Sequence, residues 1–398
     1  MQQNEFDITA VIGGRVRQFP GEATAVGGSD PLFVIEADEY DGAFLGLNPS
    51  LAIVTGIEFD HPDKFESIRV VQTSFARFMR RVCKGGCIVA CGDIANLQLL
   101  QMSCANKDLV TYGFGEHNSW RAVDISTNSG GGSDFSVVHS GEKICEVSLP
   151  IPGHHNVLNA LAAFVAALVV CLAHNRCWVM PAERKLLNAS SAIDPSAARL
   201  FSNIVTALGS YRGVVRRMQY VGTVGTCAIY DDYAHHPSAI RAVIKAIRQS
   251  FPGTRLVVVF QPHTYSRTVA LLHEFAEALS LADRVIVTAV YEARKEADSE
   301  LSSQVTGQDL ARLIKGKSLY TESLQDTARQ FVIEVRPYHA HASQLCSIPG
   351  ESGIVTEANR INLATPEEVQ KDVNTVIACL GAGDINELSA ILFGLMLA

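Results

Sequence analysis

The first residues that could do chemistry are acidic, and they follow two short apolar runs. Glu36 lies at the end of LFVI, in the segment EADEYD, and His61 lies in EFDHPDKF, after LAIVTGI. Mg²⁺ prefers oxygen ligands, and a carboxylate here could hold a cation that bridges nucleotide phosphates. If the two runs are paired strands, Glu36 and His61 occupy neighbouring strand ends and indicate a metal–phosphate site. A solvated acidic loop is the alternative for EADEYD, and a structural or surface histidine is the alternative for His61.

A second group consists of side-chain amides at the start of a predicted helix. In LPIPGHHNVLNALAAF, a Pro-Gly turn precedes a helix whose first turns carry His155, Asn156 and Asn159. An amide offers a donor and an acceptor together, which suits the edge of a purine base. The alternative is that an asparagine only caps the helix.

A third group follows two later apolar runs. IYDDYAHHP carries Asp231 and His235, VVVFQPHTYSRT carries His263 and Arg267, and Pro237 is predicted to open a helix. Arginine suits a carboxylate or a phosphate, because its planar fork donates two parallel hydrogen bonds. The histidines lack the spacing of a zinc site, so zinc is not favoured. The segment CLGAGDINEL predicts a glycine-rich turn between a strand and a helix, which can approach a ligand or another backbone closely.

Strand-like and helix-like stretches alternate along the chain, and this alternation predicts how the polar residues are positioned. The predicted strands are LFVIEAD, LAIVTGI, GCIVACGD, CAIYDDY, RLVVVFQ, RVIVTAV and TVIACLGAGD. Predicted helices include SIRVVQTSFARFMRRV, SAIRAVIKAIRQS and TVALLHEFAEALSLA, because their apolar residues recur at helical spacing. We therefore expect an α/β fold of βαβ units, with parallel sheets and with ligands beyond the carboxyl ends of the strands.

The length of 398 residues allows two or three domains. The alternation of strand and helix patterns is interrupted by two irregular stretches, near residues 172–208 and near residues 336–372. The first coincides with a plausible linker, so we expect a boundary near Gly209 and domains over residues 1–208 and 209–398.

Composition excludes several classes of protein. The formal net charge is −8 and no cluster of lysine and arginine occurs, which argues against nucleic-acid binding. The apolar stretch from Val157 to Ala173 is short for a membrane span, and we interpret it as a buried helix. The ten cysteines are scattered through apolar runs, which is typical of reduced, buried thiols. Cys83, Cys87 and Cys91 fit a β-strand better than a metal site.

Together, and in this order, these segments resemble the signatures of the Mur ligase family. The resemblance rests on EADEYD, TGIEFDHPD, PGHHNVLNALAA, YRGVVRRM, DDYAHHP, FQPHTYSRT, VYEARKE and LGAGDI. It covers nearly the whole chain outside the two irregular stretches. It implies a partial central ATPase domain (residues 1–208) followed by a Rossmann-like C-terminal domain (residues 209–398). QPHTYSRT favours the L-alanine-adding branch over the branch that recycles murein tripeptide, which shares DDYAHHP.

The resemblance also implies an activity, which is an ATP-dependent ligase of peptidoglycan precursor synthesis. Such an enzyme joins L-alanine to UDP-N-acetylmuramate through an acyl phosphate, uses ATP and Mg²⁺, and acts in the cytoplasm, or in a plastid if the source is eukaryotic. Glu36, His61, Arg216 and Asp231 would be catalytic. By resemblance, the metal ligands would be Glu36 and His61. The adenine would lie near His155, Asn156 and Asn159, and the nucleotide site would include Arg216 and Asp231. The substrate carboxylate or the incoming alanine would face His235, His263 and Arg267.

One departure from the family concerns the phosphate-binding loop. No G-x-x-x-x-G-K-[ST] segment occurs in the sequence, and its opening FDITAVIGGRV resembles a point that lies after that loop in the family. We therefore expect that this chain alone does not ligate, or that it depends on a separately supplied N-terminal portion with the UDP-sugar domain. A non-catalytic scaffold and a nucleotide- or amino-acid-binding protein are the alternatives.

Overall fold

The computed structural model describes residues 6–95, 97, 107–174, 195–292, 305–314, 316–335 and 373–397. Two compact units make up the chain, Met1–Gly213 and Val214–Ala398. The stretch near residues 336–372, predicted to be irregular, lies outside the described residues.

The first unit contains two sheets. Its described strands are β1 (Thr9–Val11), β2 (Ala25–Val26), β3 (Phe33–Ile35), β4 (Leu51–Val54), β5 (Cys87–Cys91), β6 (Asp108–Gly113), β7 (Trp120–Thr127), β8 (Ser133–His139) and β9 (Glu142–Leu149). One sheet has the order β2-β1-β3, and the other has the order β4-β5-β6-β7-β8-β9. Strands β4 to β7 are parallel, as predicted, whereas β7 to β9 form antiparallel pairs that the sequence pattern did not reveal.

The predicted strands LFVIEAD and LAIVTGI do not pair with each other. Glu36 and His61 therefore do not follow neighbouring strands of one sheet. Strand β3 instead pairs in parallel with β1, with Thr9 opposite Phe33, and β4 pairs with β5. The reason is that FDITAVIGG itself supplies the short strand β1, which provides the parallel partner for β3. EADEYD and EFDHPDKF therefore leave different sheets.

Helices cover the larger sheet of the first unit. They are α1 (Ile68–Arg80), α2 (His154–His174) and α3 (Pro195–Gly209), and 3-10 helices span Pro20–Glu22 and Tyr40–Gly46. Helix α1 packs Phe78 and Met79 into a core that includes Ile88 of β5. Helix α2 belongs to a second core, in which Leu161 and Phe164 are fully buried. The two sets of buried side chains alternate along β5, which is therefore buried on both sides.

Helix α2 is long and apolar enough over His154–Leu172 to cross a membrane by length and composition alone. Its Val157, Leu161 and Phe164 are fully buried in the core of the first unit. This burial confirms the interpretation of a buried helix. Cys87 and Cys91 likewise lie buried in β5, which confirms a strand there.

The predicted irregular stretch near residues 172–208 is corrected in part. Residues 195–209 form helix α3, which packs Leu200, Phe201, Ile204 and Leu208 against the α2 core. These apolar residues recur at helical spacing, a pattern that the polar residues before them obscured. Residues 175–194 of the stretch lie outside the described residues.

The second unit is a six-stranded sheet with helices. Its strands are β10 (Gln219–Val224), β11 (Cys227–Asp232), β12 (Arg255–Phe260), β13 (Arg284–Val287), β14 (Ser318–Tyr320) and β15 (Thr375–Leu380), in the order β10-β11-β15-β12-β13-β14. The helices are α4 (Pro237–Ser250), α5 (Tyr265–Ala270), α6 (Leu272–Leu279), α7 (Gly307–Leu313), α8 (Leu324–Val335) and α9 (Ile385–Leu397). The helix predicted over residues 268–282 is thus two helices that meet at Leu271, whose φ of −120° departs from helical values.

The order of this sheet brings three carboxyl strand ends together. All its pairs are parallel except β10 with β11. Strand β15 lies between β11 and β12, so Asp232 and Phe260 both pair with Leu380. The loops that follow these three strands therefore leave the sheet side by side. In open α/β sheets, this is the place where ligands bind.

Candidate functional site

In the first unit, the loops after β3 and β4 meet at His61. Its Nε2 atom lies 3.6 Å from Glu39 Oε1 and 3.9 Å from Asp60 Oδ2. The Tyr40 hydroxyl donates to Asp63 Oδ2 at 2.9 Å, and the Tyr40 and His61 rings meet edge to face at 5.0 Å. The two acidic segments thus converge, although they leave separate sheets. The carboxylate beside His61 is that of Glu39, another acidic residue of EADEYD, and not that of Glu36, which the resemblance assigned.

The backbone of His61 is unusual. Its φ of +53° lies in the left-handed region, and Pro62 follows it. Asp60 Oδ1 accepts a hydrogen bond from the His61 amide at 2.7 Å and holds this conformation. Such backbone outliers of non-glycine residues cluster at functional sites. The His61 ring also holds the pKa of Glu39 below its usual value, so Glu39 remains a carboxylate.

Glu36 makes its contacts elsewhere. Its amide donates to Val11 O at 2.9 Å, and its carboxylate accepts from the Gly13 amide at 2.6 Å. A Cβ atom at residue 13 would lie 2.9 Å from Glu36 Oε2, so the glycine leaves room for this carboxylate. Glu36 is exposed, and its contacts are with the loop after β1, whereas those of His61 are with Glu39 and Asp60.

These residues fit a cation only in part. Across the described ranges, no group of three His, Cys, Asp or Glu side chains has a geometry that could hold a metal ion. Mg²⁺ is usually held by one or two carboxylates, with water and substrate phosphates completing the shell. The oxygens of Glu39 and Asp60 beside the His61 nitrogen are a donor set of that incomplete kind. These residues therefore fit a cation whose remaining ligands are water and phosphate oxygens.

The start of α2 carries the predicted amide group. Gly153 has a φ of +100°, which allows the chain to turn into the helix. Asn156 Nδ2 donates to Pro152 O at 2.7 Å, so this side chain stabilises the turn. His155 is half-buried and Asn159 is exposed. The Phe114 ring, after β6, packs edge to face on His154 at 5.6 Å and adds an aromatic surface that the sequence did not indicate.

In the second unit, a buried ion pair lies at the end of β11. Arg216 Nε is 3.5 Å from Asp231 Oδ2, and Arg216 Nη2 donates to Gly381 O at 2.7 Å. Burial raises the pKa of Asp231 to about 6, against the opposing effect of Arg216. Asp231 Oδ1 and Arg216 Nε are buried, and neither hydrogen-bonds to any of the residues described. Buried polar atoms of this kind call for a partner such as a ligand.

The neighbouring Asp232 has a structural role. Its two oxygens accept from the Met218 amide at 2.7 Å and the Ala234 amide at 2.8 Å. Burial raises its pKa. Tyr233 follows, and the guanidinium carbons of Arg216 and Arg217 each lie 5.2 Å from the centre of its ring. The contacts of Asp232 and Tyr233 therefore fix the loop after β11.

The structure separates the two adjacent histidines of DDYAHHP. His236 caps α4, because its side chain accepts from the Ser238 amide, and Pro237 opens the helix as predicted. His235 instead packs its ring against His263, with centroids 5.6 Å apart. Arg267, only 3% exposed, approaches the His263 Nδ1 atom at 3.2 Å. The predicted set His235, His263 and Arg267 is thus one cluster.

The glycine-rich turn after β15 locks the loop after β12. Gln261 Nε2 donates to Asp384 Oδ1 at 2.6 Å, and Gln261 Oε1 accepts from the Ile385 amide at 3.2 Å. A Cβ atom on Gly381 would lie 2.9 Å from Gln261 O. This confirms the close backbone approach predicted for GAGD. Gln261, Asp384 and Tyr291 lie in the segments FQPHTYSRT, LGAGDI and VYEARKE, but no role was predicted for any of them.

The second site contains both groups that bind anions and groups that accept protons. The guanidinium groups and the imidazole rings can bind an anionic group, and Asp231 and the imidazole nitrogens can accept protons. The first site offers carboxylates and an imidazole for a cation. The first site therefore suits a phosphate-bearing ligand with its cation, and the second suits a small molecule that bears a carboxylate.

Comparison with known families gives two matches. Residues 29–167 match the Mur ligase middle domain, and residues 216–339 match the Mur ligase glutamate ligase domain. Each match falls mainly within one of the two units.

Comparison with curated proteins gives relatives that are named UDP-N-acetylmuramate–L-alanine ligases. The one from Frankia casuarinae is 38% identical and covers 73% of this chain and 58% of its own length. The one from Acetivibrio thermocellus is 36% identical, with 78% and 60% covered. The chain therefore spans about three-fifths of the length of these relatives.

Solved structures share the fold. A UDP-N-acetylmuramate–alanine ligase from Thermotoga maritima superposes with a TM-score of 0.64 at 22% identity, and covers 99% of this chain and 70% of its own. A MurF ligase from the same organism, in complex with ADP, superposes with a TM-score of 0.61 at 14% identity, with 99% and 75% covered.

Proposed function

The chain belongs to the Mur ligase family, and from this premise we propose that it serves in ATP-dependent ligation of L-alanine to UDP-N-acetylmuramate. The proposed reaction converts the muramate carboxylate into an acyl phosphate with ATP. The amine of L-alanine then attacks this carbonyl and phosphate leaves. The product is a precursor of peptidoglycan.

One observation carries the proposal, which is the cluster of His235, His263 and Arg267 beside the buried pair of Arg216 and Asp231. A free amino acid has a carboxylate that needs cationic or N–H donors and an ammonium that needs an acceptor. The cluster holds both kinds of group beyond the carboxyl ends of β11 and β12, the two parallel strands that flank β15. The curated relatives named as L-alanine ligases support this choice of amino acid.

Two sets of residues are proposed for the nucleotide. His155, Asn156 and Asn159 are assigned to the adenine, and Arg216 and Asp231 to the C-terminal share of the nucleotide site. The Asp231 oxygen that no described residue satisfies supports a polar ligand there. A MurF ligase of the same fold binds ADP.

Glu36 and His61 remain the proposed ligands of Mg²⁺, and Glu39 is added because it lies beside His61. Mg²⁺ supplies charge neutralisation on the phosphoryl group that is transferred. The residues of the chain orient the groups around it. Tyr40 and Asp63 fix the His61 loop, and Gly13 fixes the Glu36 carboxylate.

Calorimetry and a phosphate-release assay test the proposal. The purified chain is titrated with L-alanine and with ATP in the presence of Mg²⁺. Phosphate release is then measured with ATP, UDP-N-acetylmuramate and L-alanine, for the chain alone and with the N-terminal portion of the Frankia casuarinae relative added. That second arm is included because the sequence contains no G-x-x-x-x-G-K-[ST] phosphate-binding loop.

The expected result is binding of both ligands, and release of phosphate that requires L-alanine in at least one arm. Release that requires murein tripeptide instead of L-alanine would assign the chain to the recycling reaction. Binding without phosphate release in both arms would indicate a non-catalytic binding protein. Absence of L-alanine binding would overturn the assignment of the amino acid.

A further inference from the structure

His235 and His263 share one cluster but make opposite hydrogen bonds. Their ring centroids lie 5.6 Å apart, with an angle of 59° between the planes. Each ring uses its Nδ1 atom for a contact with a neighbouring group of the protein. The chemistry of that neighbour decides which ring nitrogen carries the proton.

His235 Nδ1 lies 2.9 Å from the backbone oxygen of Tyr233. A carbonyl oxygen only accepts hydrogen bonds, so the Nδ1 atom must carry the hydrogen. In a neutral imidazole, the other nitrogen then has the lone pair. The Nε2 atom of His235 is therefore the proton acceptor of this ring. The Tyr233 backbone is itself held by Arg216, because the Tyr233 amide donates to Arg216 O at 2.8 Å.

His263 Nδ1 lies 3.2 Å from Arg267 Nη1. A guanidinium only donates hydrogen bonds, so this Nδ1 atom must present its lone pair. The hydrogen of a neutral His263 is then on Nε2. Arg267 also donates from Nη1 to the His263 backbone oxygen at 3.4 Å, and its side chain is almost fully buried. The cation beside Nδ1 thus opposes the other tautomer.

The plane of the His263 ring is fixed as well. Tyr291 stacks on it with an angle of 15° and a centroid distance of 5.9 Å. The Tyr291 amide donates to Pro262 O at 2.8 Å, and the Thr264 amide donates to Tyr291 O at 3.0 Å. Gly383 leaves room for the Tyr291 ring, because a Cβ atom there would lie 2.5 Å from Tyr291 Cγ.

We propose that the Tyr233 carbonyl and the Arg267 guanidinium are positioning groups that hold His235 and His263 in opposite tautomers, so that His235 Nε2 accepts a proton and His263 Nε2–H donates a hydrogen bond. The assignment rests on the proposed function for its substrate, a free amino acid. His263 donates to the carboxylate of that amino acid. His235 takes one proton from its ammonium group.

In that step, one N–H bond of the ammonium breaks and an N–H bond forms at His235 Nε2. The positive charge passes from the amino acid to the imidazole, and the nitrogen of the amine regains the lone pair that attacks the acyl phosphate. The identical tautomer on both rings would give two donors or two acceptors. Opposite tautomers match the two ends of a zwitterion.

Nitrogen NMR on the full chain tests the tautomers without reference to activity. The chain is labelled with ¹⁵N-histidine and measured well above the ordinary histidine pKa of about 6.5, where the rings are neutral. His235→Asn and His263→Asn identify the two sets of signals. The expected spectrum has the hydrogen of His235 on Nδ1 and that of His263 on Nε2. The same tautomer for both rings, or the reverse pair, would overturn the proposal.

Variants of the positioning group sharpen the result. Arg267→Met removes the donor at His263 Nδ1, so His263 is expected to populate both tautomers, while His235 keeps its own. Arg241→Met is the matched control, because Arg241 pairs with the exposed Glu277 on the surface of α4 and α6. A His263 signal unchanged by Arg267→Met would show that Arg267 does not set the tautomer. If that variant does not fold, the wild-type spectrum still decides.

A kinetic arm separates this inference from the proposed function. Glutamine places its amide near the Nε2 position but cannot take a proton. In the arm of the phosphate-release assay that ligates, His235→Gln is therefore expected to lower kcat by about 100-fold or more, with a smaller change in KM for L-alanine. His263→Gln keeps a donor and should change mainly KM. Expected tautomers without any ligation would refute the proposed function alone, and ligation with the wrong tautomers would refute this inference alone.

Discussion

The two candidate regions are built in different ways. In the first unit, Glu36, Glu39 and His61 lie on loops, and their contacts are mostly with other exposed or half-buried groups. In the second unit, Asp231 and Arg267 are buried at the ends of a parallel sheet. The difference fits the proposed ligands: a cation with its own water and phosphate ligands needs only a few carboxylates, whereas a small zwitterion needs groups in fixed positions.

This comparison implies a difference in what substitutions do. A buried charged group that loses its partner destabilises the fold, because the remaining charge has neither water nor a counterion. An exposed ion pair contributes little to stability. Substitutions in the second region should therefore change stability together with binding, and those in the first should change binding alone.

The largest effect is expected for Arg216→Met. At pH 7 it leaves Asp231 buried without its cation and removes the hydrogen bond to Gly381 O, which together should reduce the free energy of unfolding by about 3 kcal/mol. Hydrogen exchange at the amides of β11 measures this change. Asp231→Asn in the same chain removes the uncompensated charge, so the double variant should recover much of the loss.

The pH dependence of that loss has a definite sign. Burial raises the pKa of Asp231 to about 6 in the folded chain, above the ordinary value of about 3.9. The folded state therefore binds this proton more tightly, and stability is lost as the pH rises through about 6. The effect of Arg216→Met should shrink as the pH falls below 6. An effect that is the same at pH 4.5 and pH 7 would contradict the role assigned to the Asp231 charge.

A smaller effect is expected for Gly383→Ala. The added Cβ atom would meet Gln261 Oε1 and Tyr291 Cγ, both inside the locked turn, and overpacking of this kind costs about 1–3 kcal/mol. Hydrogen exchange in β15 measures the loss. Gly13→Ala is the matched change in the first region, where the Cβ atom would meet only the end of the exposed Glu36 side chain.

Gly13→Ala should therefore change stability by less than about 0.5 kcal/mol, as is usual for surface substitutions. Equal losses of stability in Gly13→Ala and Gly383→Ala would contradict the difference in packing between the two regions. A large loss for Gly13→Ala alone would reverse it.

The sequence predicted the second region better than the first, and the physical reason lies in the sheets. DDYAHHP, QPHTYSRT and GAGD each follow a regular buried strand, and parallel strands bring their carboxyl ends to one edge. His235, His263 and Arg267, which the resemblance assigns to one ligand, therefore lie close together. The tilt of the rings, the stack of Tyr291 and the contact of Gln261 with Asp384 depend on side-chain packing across the chain, which no local pattern encodes.

In the first region, the sequence predicted the meeting of the two acidic segments but not its geometry. The strands that were expected to pair belong to different sheets, because the three residues of β1 are too short a run to recognise. Periodicity also cannot specify the left-handed backbone of His61. The neighbour of His61 is consequently Glu39, three residues beyond the position that the resemblance assigned.

The smallest expected effect on stability, and the sharpest test of the first region, comes from Glu39→Gln and Glu36→Gln. Both side chains are at least partly exposed, so each variant should change the free energy of unfolding by less than about 1 kcal/mol. Mn²⁺ binding in the presence of ATP, followed by electron paramagnetic resonance, should nevertheless weaken by about tenfold or more where the lost carboxylate is a ligand. Glu146→Gln, an exposed residue paired with Lys143, is the control.

The outcome of this pair decides which carboxylate belongs to the cation site. Weaker binding in Glu39→Gln alone assigns the site to the Glu39–His61 contact and removes Glu36 from it. Weaker binding in Glu36→Gln alone assigns the role that the resemblance implied, and requires the Glu36 side chain to leave the Gly13 amide when the cation binds. Loss in both variants means that the cation draws the two loops together, and no loss in either means that the open, acidic region is not a metal site.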